Sequence, residues 1–146
     1  MLSLIKLKYI KMIKKILIVS VLFFLDKVAI AQQKIPNWVF VGETVEDDLV
    51  YIDINNINHK SKNIKEYWTK VNMKKPKQLN GKNYSSLRAF MAVKCNENLV
   101  STNFAKFYQN HDSRGDASVD FGKPNNWIMI VPGSVESIMV FKYVCK

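Results

Sequence analysis

A stretch of alternating residues at 84–95, which ends in a cysteine, constrains the fold of this chain more than any other feature. One side of its period-two pattern carries Leu87, Ala89, Met91, Val93 and Cys95, and the other carries Arg88, Phe90, Ala92 and Lys94. Alternation of this kind is typical of a β-strand whose two faces meet different surroundings. We therefore expect a central strand that carries Cys95 on its more apolar face.

The first 31 residues have the pattern of a secretory signal peptide. A lysine-rich segment precedes the apolar run at residues 16–25, and Ala29 and Ala31 supply the small side chains of a cleavage site. An apolar run of about ten residues is too short for a membrane-spanning helix, which needs about 20. We therefore predict that residues 1–31 are removed, with Met12 as an alternative start, and that no membrane span remains after cleavage.

The mature chain, residues 32–146, is long enough for one domain with a modest core and too short for two. The leader takes six lysines and one aspartate with it, so the formal net charge falls from +10 to +5. An exported protein does not meet cytoplasmic nucleic acid, so nucleic acid is not an expected partner. Anionic envelope surfaces or host glycans are the more natural partners of this charge.

Cys95 and Cys145 are the two cysteines of the chain, and both remain after cleavage. In an oxidising compartment two thiols have one intramolecular pairing, so we predict a Cys95–Cys145 disulfide. A loop of roughly 50 residues closed in this way stabilises a fold by about 4 kcal/mol. A redox pair is the alternative, and it would be expected to show the close Cys-x-x-Cys spacing that these two residues lack.

Further segments rich in β-branched and aromatic residues predict the other strands. They lie at residues 37–41, 49–54, 64–73, 99–108 and 118–121, with another extended segment at 127–131. The predicted connections are an acidic loop at 43–48, a helical turn at 54–59, a basic loop at 74–82 and a polar turn at 110–117. Short connections of this kind join antiparallel neighbours, so we expect the segments to form hairpins.

The C-terminal stretch, residues 134–145, has features of both a helix and a strand. Ser134 as an N-cap and Glu136 in the first turn favour a helix, whereas the alternating Val, Ile, Phe and Tyr residues also suit a strand. We predict the helix. Because a helix of roughly eleven residues is marginal alone, it would depend on packing against the sheet and on the disulfide.

The order of these residues resembles the surface-adhesin protein E family over about residues 37–146. The residues that carry the resemblance are Leu49, Val50, Tyr51, Ile52, Asp53 and Ile57, an aromatic third strand, Cys95, and Pro132, Gly133 and Ser134 ahead of Cys145. The resemblance implies an α+β fold: a single antiparallel sheet of about six strands, with a C-terminal helix packed on one face and tied to it by the cysteine pair.

The resemblance also implies that the protein binds other molecules. The founding adhesin of the family binds extracellular-matrix and serum glycoproteins and is a lipoprotein on the cell surface. This chain departs from that pattern because no cysteine follows the expected cleavage site to carry a lipid. We therefore expect a periplasmic or secreted protein, with surface display left open.

No pattern in the chain predicts catalysis. His59 and His111 lie in separate loops, and neither has a second histidine or cysteine at metal-ligand spacing. The carboxylates at 46–48 lack the spaced oxygen ligands and glycine of a calcium loop. No nucleophile motif or phosphate-binding glycine loop is present. We expect no enzyme, no metal and no cofactor.

The tripeptide Arg114-Gly115-Asp116 has two interpretations. An RGD sequence at a hairpin tip is a known docking motif for integrins, but a polar turn whose glycine has a positive φ produces the same order. Because motif matching alone has a high false-positive rate, we favour the plain turn.

We derive two hypotheses for the function. The first is an exported, non-enzymatic binding protein whose cations contact sulfated or sialylated glycoproteins such as host matrix proteins. The candidate ligand-binding residues are Lys74, Lys75, Lys77 and Lys82 of the basic loop, with Arg88 nearby on the strand. The second is a periplasmic structural or accessory protein that binds another envelope component through a sheet edge or aromatic face. A homodimer through such an edge or face is left open.

Overall fold

Six strands form the body of an antiparallel sheet, and two strands of two residues are attached to it. In the computed structural model, which describes residues 34–120 and 122–146, the strands are β1 (Trp38–Glu43), β2 (Leu49–Asp53), β3 (Asn58–His59), β4 (Ile64–Leu79), β5 (Lys82–Lys94), β6 (Leu99–Asn110), β7 (Arg114–Asp120) and β8 (Ile128–Met129). Strands β1, β2, β4, β5, β6 and β7 are neighbours in that order, whereas β3 pairs with β4 and β8 with β6. The predicted antiparallel sheet is confirmed, with eight strands in the described residues where about six were expected. The predicted leader, residues 1–31, lies outside these residues.

Several strand boundaries differ from the prediction. The expected polar turn at 110–117 is wrong, because β7 already begins at Arg114 and the turn is confined to His111–Ser113. The expected helical turn at 54–59 is a short 3-10 helix, Ile54–Asn56, followed by β3. Side chains of the strands hold these tight connections: Asp53 accepts from an N–H group of the 3-10 helix, and Asn72 and Ser86 accept from N–H groups of the turn before β7.

The predicted basic loop at 74–82 is also wrong, because β4 and β5 continue through it as a two-stranded arm. Asn80 and Gly81 are the two residues of its turn, and their φ angles are 52° and 75°. Two consecutive positive φ values are typical of a type I′ hairpin turn, for which Asn-Gly is a preferred sequence. We call residues 74–82 the lysine arm.

The arm contains a proline, which a regular ladder does not accommodate. Pairing between β4 and β5 shifts between Asn72 and Lys77, so Pro76 lies in the irregular part of the strand. A bulge of this kind tolerates a residue that has no N–H to donate. The irregularity therefore explains how β4 extends through a segment that composition assigns to a loop.

The C-terminal stretch is helical, as predicted, and the strand alternative is wrong. Ser134 caps helix α1 (Val135–Met139), since its Oγ accepts a hydrogen bond of 3.1 Å from the N–H of Ser137. The chain then continues as a π-helical segment, Val140–Val144. No helix in the described part of the chain is long and apolar enough to cross a bilayer.

The core combines buried residues of the sheet and of the C-terminal helix. The cluster comprises Val50, Ile52, Tyr67, Ala89, Met91, Val93, Val100, Ile130, Met139, Val140 and Val144. Since side chains alternate along a strand, the residues next to these on β4 and β5 point to the other side of the sheet. That side carries Trp38, Tyr51, Trp68, Phe90 and Phe104, and we call it the aromatic face.

Candidate functional site

The lysine arm lies against the acidic loop between β1 and β2. Lys74 Nζ is 2.7 Å from Asp47 Oδ2, and Lys77 Nζ is 2.5 Å from Glu46 Oε2 and 2.6 Å from Asp48 Oδ2. The backbone N–H of Lys74 also donates to Asp48 Oδ1 over 3.0 Å. Two of the four lysines predicted to bind a ligand are therefore paired with carboxylates of the same chain.

The ion pairs hold these two lysines in the charged state. Hydrogen bonds to Asp48 and then to Glu46 raise the pKa of Lys77, and a hydrogen bond to Asp47 raises the pKa of Lys74. Asp48 is only 4% exposed, because the arm covers it and supplies its partners. The acidic loop is therefore one half of a charged contact and not a freely solvated turn.

Lys75 and Lys82 differ from the other two lysines of the arm. Both are exposed, and neither lies within ion-pair distance of a carboxylate in the part of the chain that the structure describes. Lys82 lies next to the turn at the tip of the hairpin, whereas Lys75 lies in the irregular stretch beside the acidic loop. Any anion that approaches the arm would meet these two residues without displacing an internal partner.

Arg88 is not part of the arm. It lies on β5 six residues beyond Lys82, which is about 20 Å along an extended strand. Its guanidinium carbon is 4.7 Å from the ring centre of Trp68 and 5.2 Å from that of Trp38. The predicted ligand-binding residues therefore fall into two groups, four lysines on the arm and one arginine on the aromatic face.

Sequence reasoning allowed an aromatic face as a contact surface but missed the cations that gather on it. Lys70 and Lys106 also lie on it, opposite Arg88 on either side, and Lys70 Nζ is 4.7 Å from the ring of Tyr51. A usable signal was present, because each of these cations stands at a mid-strand position where a charged side chain is uncommon. The pairing register was needed to bring them together.

A turn between β6 and β7 covers one end of the aromatic face. Asp112 accepts hydrogen bonds from Lys70 Nζ over 2.8 Å and from Asn72 Nδ2 over 3.0 Å, and these bonds lower the pKa of its carboxyl group. The Nε2 atom of His111 is 2.9 Å from the carbonyl oxygen of Met73. His111 therefore has a structural role: its ring contacts the backbone of β4.

The Arg114-Gly115-Asp116 tripeptide begins β7 and does not form a hairpin tip. Gly115 has a φ of 79°, as expected for a glycine turn, and a Cβ atom there would lie 2.7 Å from the side-chain nitrogen of Asn110. Arg114 and Asp116 are exposed. The geometry accounts for the glycine by conformation and packing alone, and integrin docking by this tripeptide stays the less favoured hypothesis.

The predicted disulfide is confirmed. Cys95 at the end of β5 is bonded to Cys145, and the two half-buried residues pack against the core cluster. A second contact reinforces this connection, because Lys65 Nζ donates to the carbonyl oxygens of Val144 over 2.7 Å and Lys146 over 2.8 Å. The C-terminal segment is thus tied to both central strands.

A cavity of about 460 Å³ lies between the sheet and the start of helix α1. Its apolar lining includes Val45, Val50, Val71, Met91, Val135 and Met139. Glu136 also lines it, and burial raises the pKa of this carboxyl group.

Tyr67 is fully buried in the core; its pKa is raised by burial and, to a smaller extent, by the charge of Glu136. Its hydroxyl has no hydrogen-bond partner in the described residues.

Replacing Glu136 with glutamine is expected to stabilise the protein at neutral pH. Since the folded-state pKa is raised above the ordinary value of 4.5, ionised Glu136 opposes folding. This penalty is absent below the ordinary pKa, grows as the pH rises from the ordinary to the folded-state pKa, and is constant at higher pH. Urea unfolding at pH 4 and pH 7 should therefore show a gain for Glu136→Gln only at the higher pH.

Glu43→Gln is the matched control, because Glu43 lines the same cavity from an exposed position. We expect it to leave the free energy of unfolding nearly unchanged. Equal stability of Glu136→Gln and the unmodified protein at both pH values would contradict the assigned effect of burial.

No cluster of three or more His, Cys, Asp or Glu residues suited to a metal is found in residues 34–120 and 122–146. The geometry instead defines a class of protein: a disulfide-bonded antiparallel sheet with a C-terminal helix and two groups of surface cations. The chain belongs to the Surface-adhesin protein E family, whose sequence pattern it matches over residues 38–146. No match was found among curated proteins.

Solved structures of Haemophilus influenzae protein E are similar in fold. One has a TM-score of 0.54 and 16% identity, and the alignment covers 73% of this chain and 85% of the protein E chain. A second crystal form has a TM-score of 0.55 and 15% identity and covers 73% of this chain and 88% of its own. A third, from a non-typeable strain, has a TM-score of 0.51 and 16% identity, with coverages of 70% and 71%. At this identity the likeness establishes the fold.

Proposed function

We propose that this chain is an exported, non-enzymatic binding protein of the adhesin type, which contacts anionic glycoproteins through the lysine arm. Membership of the adhesin family supports the binding role. The observation that carries the choice of surface is the projecting hairpin with exposed, unpaired Lys75 and Lys82 within the described residues. Closely spaced ammonium groups attract sialylated or sulfated chains and steer their approach.

The acidic loop acts as an internal competitor in this proposal. Asp47 and Glu46 occupy Lys74 and Lys77 through exposed ion pairs. Exposed pairs are worth only about 0–1 kcal/mol each, so a partner with several anionic groups can replace them. Binding therefore starts at the two unpaired lysines, and full engagement of the arm requires release from the acidic loop.

Neutralising the two sides of this contact should have opposite effects on binding. The probe is fetuin, a sialylated serum glycoprotein, captured on a sensor surface beside asialofetuin. Lys75→Gln/Lys82→Gln should weaken binding several-fold, because it removes the cations that meet the ligand first. Glu46→Gln/Asp47→Asn should strengthen binding, because it releases Lys74 and leaves Lys77 paired with Asp48 alone.

Lys62→Gln is the matched control, since Lys62 is an exposed cation outside the arm. We expect it to change binding by less than about twofold. Binding that is insensitive to ionic strength, or that is equal for fetuin and asialofetuin, would argue against an electrostatic contact with glycan acids.

The location completes the proposal. Residues 1–31 are proposed to direct export and to be removed, and the C-terminal helix is proposed to pack on one face of the sheet, which leaves the aromatic face for partners. Trp38, Trp68 and Trp127 are half-buried, so their exposure does not favour the alternative of a periplasmic accessory protein. Protease treatment of intact cells separates the two locations, because a surface protein is lost and a periplasmic protein is protected.

A further inference from the structure

Three cations stand directly opposite one another across the middle of the sheet. The Cα register pairs Lys70 of β4 with Arg88 of β5, and Arg88 with Lys106 of β6. Neighbouring strands are about 4.8 Å apart, so the three side chains follow one line across the aromatic face. Like charges in directly opposed positions destabilise a sheet. We call these three residues the cation row. Their mutual repulsion must be offset by other contacts if the sheet is to be stable.

The compensation is uneven along the row. Lys70 has a carboxylate partner, Asp112 Oδ1 at 2.8 Å, and lies 5.3 Å from the ring centre of Trp38. Lys106 lies over the ring of Tyr108 at 5.5 Å. For Lys106 no carboxylate within ion-pair distance is found among the described side chains, those of residues 34–118 and 122–146. The negative charge is therefore concentrated at the Lys70 end.

Arg88 is the residue whose bonding capacity is least used. It lies against the rings of Trp38 and Trp68, and no carboxylate among the described side chains of residues 34–118 and 122–146 forms an ion pair with it. Its Nε atom is buried and has no hydrogen-bond partner within the same residues. Stacking on tryptophan holds a guanidinium in place, and its fixed fork of donors matches an oxyanion. Arg88 is thus a positioned anion receptor.

The surrounding rings limit what kind of anion fits. The Trp38 and Trp68 rings already lie beside the guanidinium, and Trp68 also packs against Phe90 with 4.9 Å between ring centres. Single-stranded nucleic acids bind mainly by stacking bases on open aromatic rings, which these rings do not offer. A ligand here is recognised by its oxyanions, spaced along a chain that crosses the strands.

We propose that the cation row binds the sulfate groups of a sulfated polysaccharide, with Arg88 as the central contact and Lys106 beside it. The inference rests on the proposed function in taking an anionic saccharide as the partner, but it assigns that partner to the middle of the sheet and not to the lysine arm. Sulfate presents several acceptor oxygens to the guanidinium donors and supplies the negative charge that the row lacks.

The test uses the purified protein and a heparin-derived octasaccharide, with binding measured by titration calorimetry. Arg88→Gln should weaken binding by about tenfold or more, as expected for lost hydrogen bonds to a charged group. The affinity of Arg88→Lys should lie between those of the unmodified protein and Arg88→Gln, since lysine keeps the charge and loses the planar fork. Lys106→Gln should weaken binding to a smaller extent and serves as the second variant if Arg88→Gln does not fold.

Lys75→Gln/Lys82→Gln distinguishes this site from the lysine arm. If the cation row carries the octasaccharide, this variant binds it nearly as well as the unmodified protein, whatever its effect on fetuin. Loss of octasaccharide binding in the arm variant alone would overturn the inference, as would unchanged binding by folded Arg88→Gln and Lys106→Gln. Equal binding of the desulfated octasaccharide, or tighter binding of an oligothymidylate, would also overturn it.

Discussion

Cys95→Ser is expected to lower the free energy of unfolding by about 4 kcal/mol, because it reopens a large loop in the unfolded chain. The cysteines are separated by 50 residues, and Cys145 joins the C-terminal segment to the end of β5. Among the described residues, the contacts of Lys65 with the last carbonyl groups would then remain as a polar tie. Urea unfolding with a folded-state check by circular dichroism measures the loss.

Cys145→Ser and the double variant are the controls for this prediction. All three variants remove the same bond, so their losses should agree, and the double variant should show no additional loss. We expect no change in any specific chemistry, because the cysteines have a structural role here. A variant that kept full stability while a redox activity disappeared would contradict this assignment.

Asp53→Ala is expected to lower the free energy of unfolding by about 3 kcal/mol, since it removes a buried carboxylate that accepts several hydrogen bonds. Asp53 is fully buried at the end of β2, and its Oδ1 accepts from the N–H groups of Asn37 over 2.9 Å and Asn55 over 3.2 Å. Its Oδ2 accepts from Asn56 Nδ2 over 2.6 Å. One carboxylate therefore joins the chain ahead of β1 to the turn after β2. Thermal and urea unfolding measure the loss.

Asp53→Asn provides the conservative comparison. It keeps one acceptor oxygen of the same shape, so we expect it to lose less stability than Asp53→Ala. Asp116→Ala changes an exposed aspartate and should stay within about 0.5 kcal/mol of the unmodified protein. A small loss for Asp53→Ala, similar to that of Asp116→Ala, would contradict the role assigned to the buried carboxylate.

Local sequence patterns predicted the strands and the helix cap well, because these features depend on neighbouring residues. Alternation at 84–95 identified β5, and Ser134 identified the start of α1. The lysine arm was missed although Asn80-Gly81 is a strong hairpin signal, because its lysines and Pro76 are disfavoured in strands. Pairing with the partner strand outweighed these local preferences.

The candidate site was less accessible to prediction, since it depends on register between strands. Arg88 was identified from its charge but was grouped with the lysine arm, although it lies in the middle of β5 and the arm lies at its start. Its neighbours Lys70 and Lys106 are 36 residues apart in the sequence and meet it only through two pairing registers. A register shift between Phe90 and Met91 prevents this alignment from being counted along the chain.

The turn at the end of the lysine arm also offers a practical position for a reporter. A Cβ atom at Gly81 would meet nothing within 4 Å, and Asn80 is exposed, so a short epitope inserted between them would disturb few contacts. Antibody labelling of intact cells would then show directly whether this end of the molecule faces the surroundings. An epitope in this hairpin would thus report whether the lysines are exposed on the cell surface or lie inside the cell envelope.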